Sequence, residues 1–137
     1  YKNCVVSDEW KNYSNFYKWY KENLYECSDE LEVDKDILSE GKKIYSKETC
    51  ILIPKKINRF CQTSNCLDYY ITCNKMWSTW IHYKTKHVHI GTFESFEDAK
   101  KEFLKYKNKI YQELVEKYKE ELPPDVYTKL KTSRLVA

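Results

Sequence analysis

The sequence predicts an α+β fold: a small N-terminal helix and hairpin unit, then a three-stranded antiparallel sheet packed on one long helix. Three observations carry that expectation. Aromatic and apolar residues recur at spacings of three and four over residues 5–25 and again over 96–118, the period of an amphipathic helix. Between them lie three β-rich runs, 68–73, 77–83 and 87–93, parted by Asn74-Lys75-Met76 and Lys84-Thr85-Lys86. The length, 137 residues, allows one domain or two very small ones, able to bury roughly two-thirds of the unfolded surface.

The elements follow in order. Trp10, Tyr13, Phe16, Tyr17, Trp19 and Tyr20 stripe the first helix, with Ser14 as a candidate cap. An acidic, turn-prone stretch at 27–32 ends it. Gly41, set between the apolar flanks of 33–45, predicts a hairpin or tight loop. Ser46-Lys47-Glu48-Thr49 reads as a single turn capped by Ser46, and Cys50-Ile51-Leu52-Ile53 as a short buried strand ended by Pro54. The polar stretch 59–65 marks a boundary, giving domains 1–60 and 61–137. After the three-stranded meander, Ser95 caps a helix with Asp98 three residues on. Phe96, Ala99, Phe103, Tyr106, Ile110, Leu114 and Tyr118 then form its core stripe. Pro123-Pro124 stops this helix, and 125–130 is a short final turn. Strand alternation sends Trp77, Thr79, Ile81, Val88 and Ile90 inward, and Ser78, Trp80, His82, His87 and His89 outward.

Composition narrows the function classes. With 2 Gly and 3 Pro, collagen-like, linker-like and Gly-rich phosphate-loop designs are excluded. No apolar run approaches the roughly 20 residues that cross a bilayer, and the mean hydropathy is −0.80, so a soluble chain with no membrane partner is expected. The chain starts at Tyr1 with no Met and no charged-then-apolar leader, which predicts a chain processed, trimmed or cut from a longer protein, in which no signal peptide can be read. Residues 1–60 carry 11 basic and 11 acidic side chains, whereas 61–137 carry 13 and 10, for a net charge of +3. That balance permits nucleic-acid binding without demanding it. Six cysteines fit either three disulfides in a secreted protein or free thiols in a reducing compartment. Cys61-x4-Cys66-x6-Cys73 lacks the tight Cys-x2-Cys knuckle of structural zinc; buried thiols are the expectation, and a zinc site from these three is the alternative.

Two resemblances add to this reading. Trp77-Ser-Thr-Trp-Ile-His, followed by Val88-His-Ile-Gly-Thr-Phe-Glu-Ser-Phe-Glu-Asp-Ala99, resembles the signature of the APETALA-type DNA-binding domain, the ethylene-response-factor fold, over residues 67–130. That resemblance implies a sheet whose exposed face lies in the major groove of duplex DNA. Trp80, His82, His87 and His89, flanked by Lys84 and Lys86, fall where the family carries its contacts. The family relies on arginines there, but the two in this chain, Arg59 and Arg134, lie outside the meander, so bidentate guanine reading is absent. Trp80 also reads as a surface aromatic shielding the sheet. The three imidazoles read as a solvated polar face or as a zinc set.

The N-terminal half is similar to the degenerate HNH-nuclease region that precedes such domains in phage proteins. The similarity lies in Trp10 with Phe16-Tyr-Lys-Trp19, Val33-Asp-Lys-Asp-Ile37, Ile44-Tyr-Ser-Lys-Glu-Thr-Cys50 and Ile53-Pro-Lys-Lys-Ile-Asn58. It implies a catalytic His on the first strand, yet no His precedes His82, and Asp34-Lys35-Asp36 stands there instead. The candidate catalytic residues are therefore Asp34, Asp36 and Asn58, needing a divalent metal if the site is active and no cofactor otherwise. Turn chemistry is the favoured reading of Asp34 and Asp36, since Asp caps loops by bonding the backbone. The resulting expectation is a phage or mobile-element DNA-binding protein in the cytoplasm of a bacterial host, without nuclease activity. Its alternatives are a counter-defence protein that binds a host protein or nucleotide signal, and an active HNH-type nicking or homing endonuclease.

Overall fold

A computed structural model describes residues 3–39, 43–62, 69–71, 75–133 and 135. The chain is α+β and divides into two compact units, residues 1–59 with 114–134, and 60–113 with 135–137. The break after Arg59 adjoins the expected boundary. The expected 61–137 domain nevertheless differs from the second unit, because 114–134 clusters with the N-terminal residues.

In the first unit, β1 (Val5–Val6) pairs in parallel with β3 (Ile44–Tyr45), and β2 (Leu31–Asp34) pairs antiparallel with β4 (Ile51–Pro54). A hairpin within 33–45 does not form, since β2 and β3 pair with different strands. Gly41 lies outside the described residues. The single helix expected over 5–25 is replaced by β1, α1 (Asp8–Lys11) and α2 (Tyr13–Asn23). The break falls at Asn12, which leaves helical backbone and accepts from the Ser14 N–H through Oδ1 at 3.0 Å; Asn12, not Ser14, is the cap. Trp10 is buried, with Phe16 edge-on at 5.0 Å and Trp19 at 4.8 Å. No residue of α2 itself is buried, so its stripe lies over Trp10 without sinking into a core.

The core of this unit is built on β4. Ile51, Leu52, Ile53 and Pro54 are all buried, and α4 (Lys55–Gln62) starts directly after Pro54. The Asp29 carboxylate accepts from the Lys56 N–H at 2.9 Å and caps that helix from a distant loop. Asp29 also accepts from the Tyr118 hydroxyl at 3.4 Å; burial first, then the carboxylate beside it, push that phenol up to about 12. Glu121 accepts from the Ser28 N–H at 2.6 Å. These bonds fasten 114–134 to the N-terminal residues. α6 (Pro124–Thr132), with Pro at N1, buries Val126 and Leu130 in the same unit and is longer than the expected final turn.

In the second unit, β5 (Tyr69–Ile71), β6 (Trp77–Tyr83) and β7 (Lys86–Phe93) form a three-stranded antiparallel sheet in the order β5-β6-β7. α5 (Phe96–Lys117) comes next in the chain, its first turn capped by Ser95 Oγ accepting from the Asp98 N–H at 3.1 Å. Trp77 meets Phe96 edge-on at 5.0 Å, and Ile81, Ala99, Phe103, Ile110 and Tyr111 are buried. Ile90 lines a cleft of about 450 Å³ with Glu102, Lys105, Tyr106 and Lys109 of α5, which places the inward sheet face toward the helix. α5 ends at Lys117, ahead of Pro123-Pro124, as the chain turns from Tyr118 to Leu122.

Candidate nucleic-acid interface

The outward face of this sheet depends on a β-bulge. Thr79 pairs with Gly91 and Trp80 with His89, which leaves Ile90 as an extra residue on β7. Strict alternation would turn Thr92 inward. The bulge resets the phase, so Thr92 shares a face with His89, their Oγ1 and Nε2 atoms 3.4 Å apart, and Phe93 pairs with inward Trp77. Gly91 serves the same corner, because a Cβ there would come within 2.8 Å of the Phe93 ring.

On that face four aromatic rings touch in sequence. His82 stacks on His87 at 3.9 Å and 18°, His87 lies 4.5 Å from Trp80, and Trp80 lies 4.3 Å from His89. The pairings His82 with His87 and Trp80 with His89 across β6 and β7 account for two of these contacts, since directly opposed side chains are neighbours, and His87 meets Trp80 on the diagonal between them. All three imidazoles are exposed, and Trp80 is half-buried. Ser78, expected outward, is on this face yet buried. It sits on the central strand, and its hydroxyl shares a hydrogen bond of 2.9 Å with His89 Nε2, the direction set by the tautomer. Beyond His82 the chain turns through Lys84 and Thr85, with Lys84 at φ 56° and its ammonium 5.4 Å over the Tyr83 ring. Lys84 and Lys86 are both exposed.

The residues expected to bind a nucleic acid are therefore gathered: Trp80, His82, His87 and His89 form one continuous patch, with Lys84 and Lys86 at the turn beside it. Sequence spacing indicated the shared face; the ring column and the Ser78 contact to His89 had no sequence signal beyond alternation, and the Thr92 contact runs against it. Among the described residues no three His, Cys, Asp or Glu side chains are grouped to hold a metal ion, so the three imidazoles stack and do not converge as a zinc set. Cys61 is half-buried at the end of α4, whereas Cys66 and Cys73 lie outside the described residues.

The candidate catalytic residues sit in the first unit. Asp34 is buried, and its Oδ2 accepts from the N–H groups of Asp36 at 3.0 Å and Ile37 at 2.8 Å, opening α3 (Asp36–Ser39). Burial raises its pKa; the two N–H donors oppose that without cancelling it. Asp36 is tied to Lys35 at 2.6 Å. Burial works against the Lys35 ammonium, but the Asp36 carboxylate outweighs it and raises the pKa. Asn58 is buried, and its Nδ2 donates to Glu32 Oε2 at 2.8 Å. Glu32 was absent from the sequence expectation, although it stands two residues before Asp34 and so on the same strand face. Arg59 lies 3.9 Å from the same carboxylate.

Among the described residues no helix is long and apolar enough to cross a membrane. No family model, curated protein or solved structure matches this chain.

Proposed function

We propose that this chain is a DNA-binding protein of phage or mobile-element type, which carries nucleic acid on the outward face of its three-stranded sheet and has no nuclease activity. The observation that supports this reading is the column of Trp80 and three imidazoles on a solvent-facing sheet, with two exposed lysines at its end. Aromatic faces stack on bases, and ammonium groups neutralise phosphates. The inward face packs toward α5, and the three imidazoles of the outward face are exposed. Without arginine on the sheet the interaction is weakly sequence-selective.

The N-terminal half supports the HNH-like reading in layout alone: the antiparallel pair of β2 and β4 leads into α4. Asp34 is engaged with backbone N–H groups and Asn58 with Glu32, which favours a structural use of these residues.

The test is fluorescence anisotropy of labelled DNA at several salt concentrations. Binding should weaken with salt, and Trp80→Ala or the His87→Ala/His89→Ala pair should each reduce affinity about tenfold at a temperature where circular dichroism shows the variant still folded. No binding at low salt would sink the proposal.

One observation favours a second reading, a counter-defence protein that binds a host protein. Tyr13 and Tyr17 on α2 are 72% and 47% exposed and stack at 6.1 Å, and exposed aromatic patches mark partner surfaces. Its signature is DNA-independent binding of a host protein that Tyr13→Ser with Tyr17→Ser abolishes.

A further inference from the structure

We infer that the sheet takes an unpaired nucleic-acid strand and not a duplex, with one base stacked on His82 at the turn end of the ring column. This rests on the reading of that face as a nucleic-acid surface and names the form of its ligand.

The column has two unlike ends. At one end His89 is held in place, its Nε2 2.9 Å from the Ser78 hydroxyl and 3.4 Å from that of Thr92. At the other, His82 stacks on His87 with nearly parallel rings and is exposed. Its opposed pair is followed only by Tyr83 with Lys86 and the two-residue turn. A stack grows by adding another flat ring to its open end. Lys86 is paired opposite Tyr83 and the Lys84 ammonium lies over the Tyr83 ring, so both lysines follow the column at the turn, on the side of Tyr83, and add positive charge near that end without facing the stacked rings.

Base pairing hides the face that such a stack needs. In a duplex each base is covered above and below, and uncovering it costs a few kcal/mol; an unpaired strand offers its bases freely. Reading a duplex instead needs donors that reach base edges at the floor of a groove about 8.5 Å deep. The imidazoles here are short, and they lie ring against ring over Trp80. The column therefore presents π surface and little reach. Lysines as point charges add affinity for phosphate without base preference. The expected ligand is a single strand bound with little regard to sequence.

The experiment uses the full chain and a short labelled DNA strand of mixed sequence, compared with the same strand annealed to its complement, in low-salt anisotropy titrations. The single strand is expected to bind at least about tenfold more tightly than the duplex. His82→Ala should cost about tenfold in strand affinity, and His82→Phe, which keeps a ring, should restore most of it. Equal or tighter duplex binding overturns the inference and leaves the nucleic-acid reading standing. Unchanged strand affinity in His82→Ala overturns the stacking position. Binding of neither form overturns both the inference and the reading beneath it.

Discussion

A single carboxylate shows how this chain spends its polar groups. Asp34 is buried, and its pKa is raised because desolvation outweighs the two N–H groups that it accepts from. A carboxylate whose folded pKa exceeds its unfolded value holds its proton more tightly when folded. Its stabilising contribution is therefore full below the unfolded value and is lost as pH rises through the folded one. Asp34→Asn keeps an oxygen for the same N–H groups and removes the charge. Urea denaturation should show this variant gaining on wild type between pH 4 and pH 7; parallel pH profiles would refute the assignment. Asp34→Ala, which loses the acceptor as well, should cost about 1 kcal/mol at neutral pH. The dual role of Asp34 as candidate catalyst or turn residue was legible from its type alone. The bonds that favour the turn role were not, because they depend on where the strand ends.

Each element can be broken by one side chain. Leu130 is fully buried on α6, and Leu130→Ala should lower unfolding free energy by about 2–5 kcal/mol in chemical denaturation. Gly91→Ala should cost about 1–3 kcal/mol, since the new methyl would meet the Phe93 ring at 2.8 Å and push it from its place beside the bulge. If Gly91→Ala melts with wild type, the ring moves aside freely and the bulge does not need glycine. The Ser95 cap and the strands β6 and β7 were legible to within a residue because each depends on residues close in sequence, whereas the ends of the run 68–73 lie outside the described residues. The division of the stretch 5–25 was not legible. Its period of three and four is real, yet Asn12 and the parallel pairing of Val5–Val6 with Ile44–Tyr45 divide it. That pairing draws on residues nearly forty positions away, which a periodic pattern cannot contain.

At the scale of the whole molecule, thiol chemistry gives a check on compartment and burial together. Cys4, Cys27 and Cys50 carry free thiols. Burial raises the pKa of Cys50 and Cys27, so each holds less thiolate at neutral pH. Alkylation of the folded protein should be slow at buried Cys50 and rise steeply on adding denaturant, a contrast that mass spectrometry of labelled peptides resolves. Fast native labelling of Cys50 would contradict its burial. Plasmid-nicking assays with magnesium, manganese and zinc should give no cleavage, and Asp36→Ala should change nothing; metal-dependent nicking lost in Asp36→Ala would restore the endonuclease reading.

What the sequence by itself determined is local: the α+β class, the three β-rich runs, the Ser95 cap and the shared outward face of Trp80, His82, His87 and His89. Each arises from side-chain period or from hydrogen bonds spanning a few residues, and backbone sterics enforce these whatever else the chain does. Tertiary structure alone decided which strands pair, that 114–134 belongs with the N-terminal residues, that Ile90 bulges, and that four rings form a column with one open end. Those outcomes balance contacts between distant residues against the entropy of closing the chain between them, and that balance is set by the folded whole.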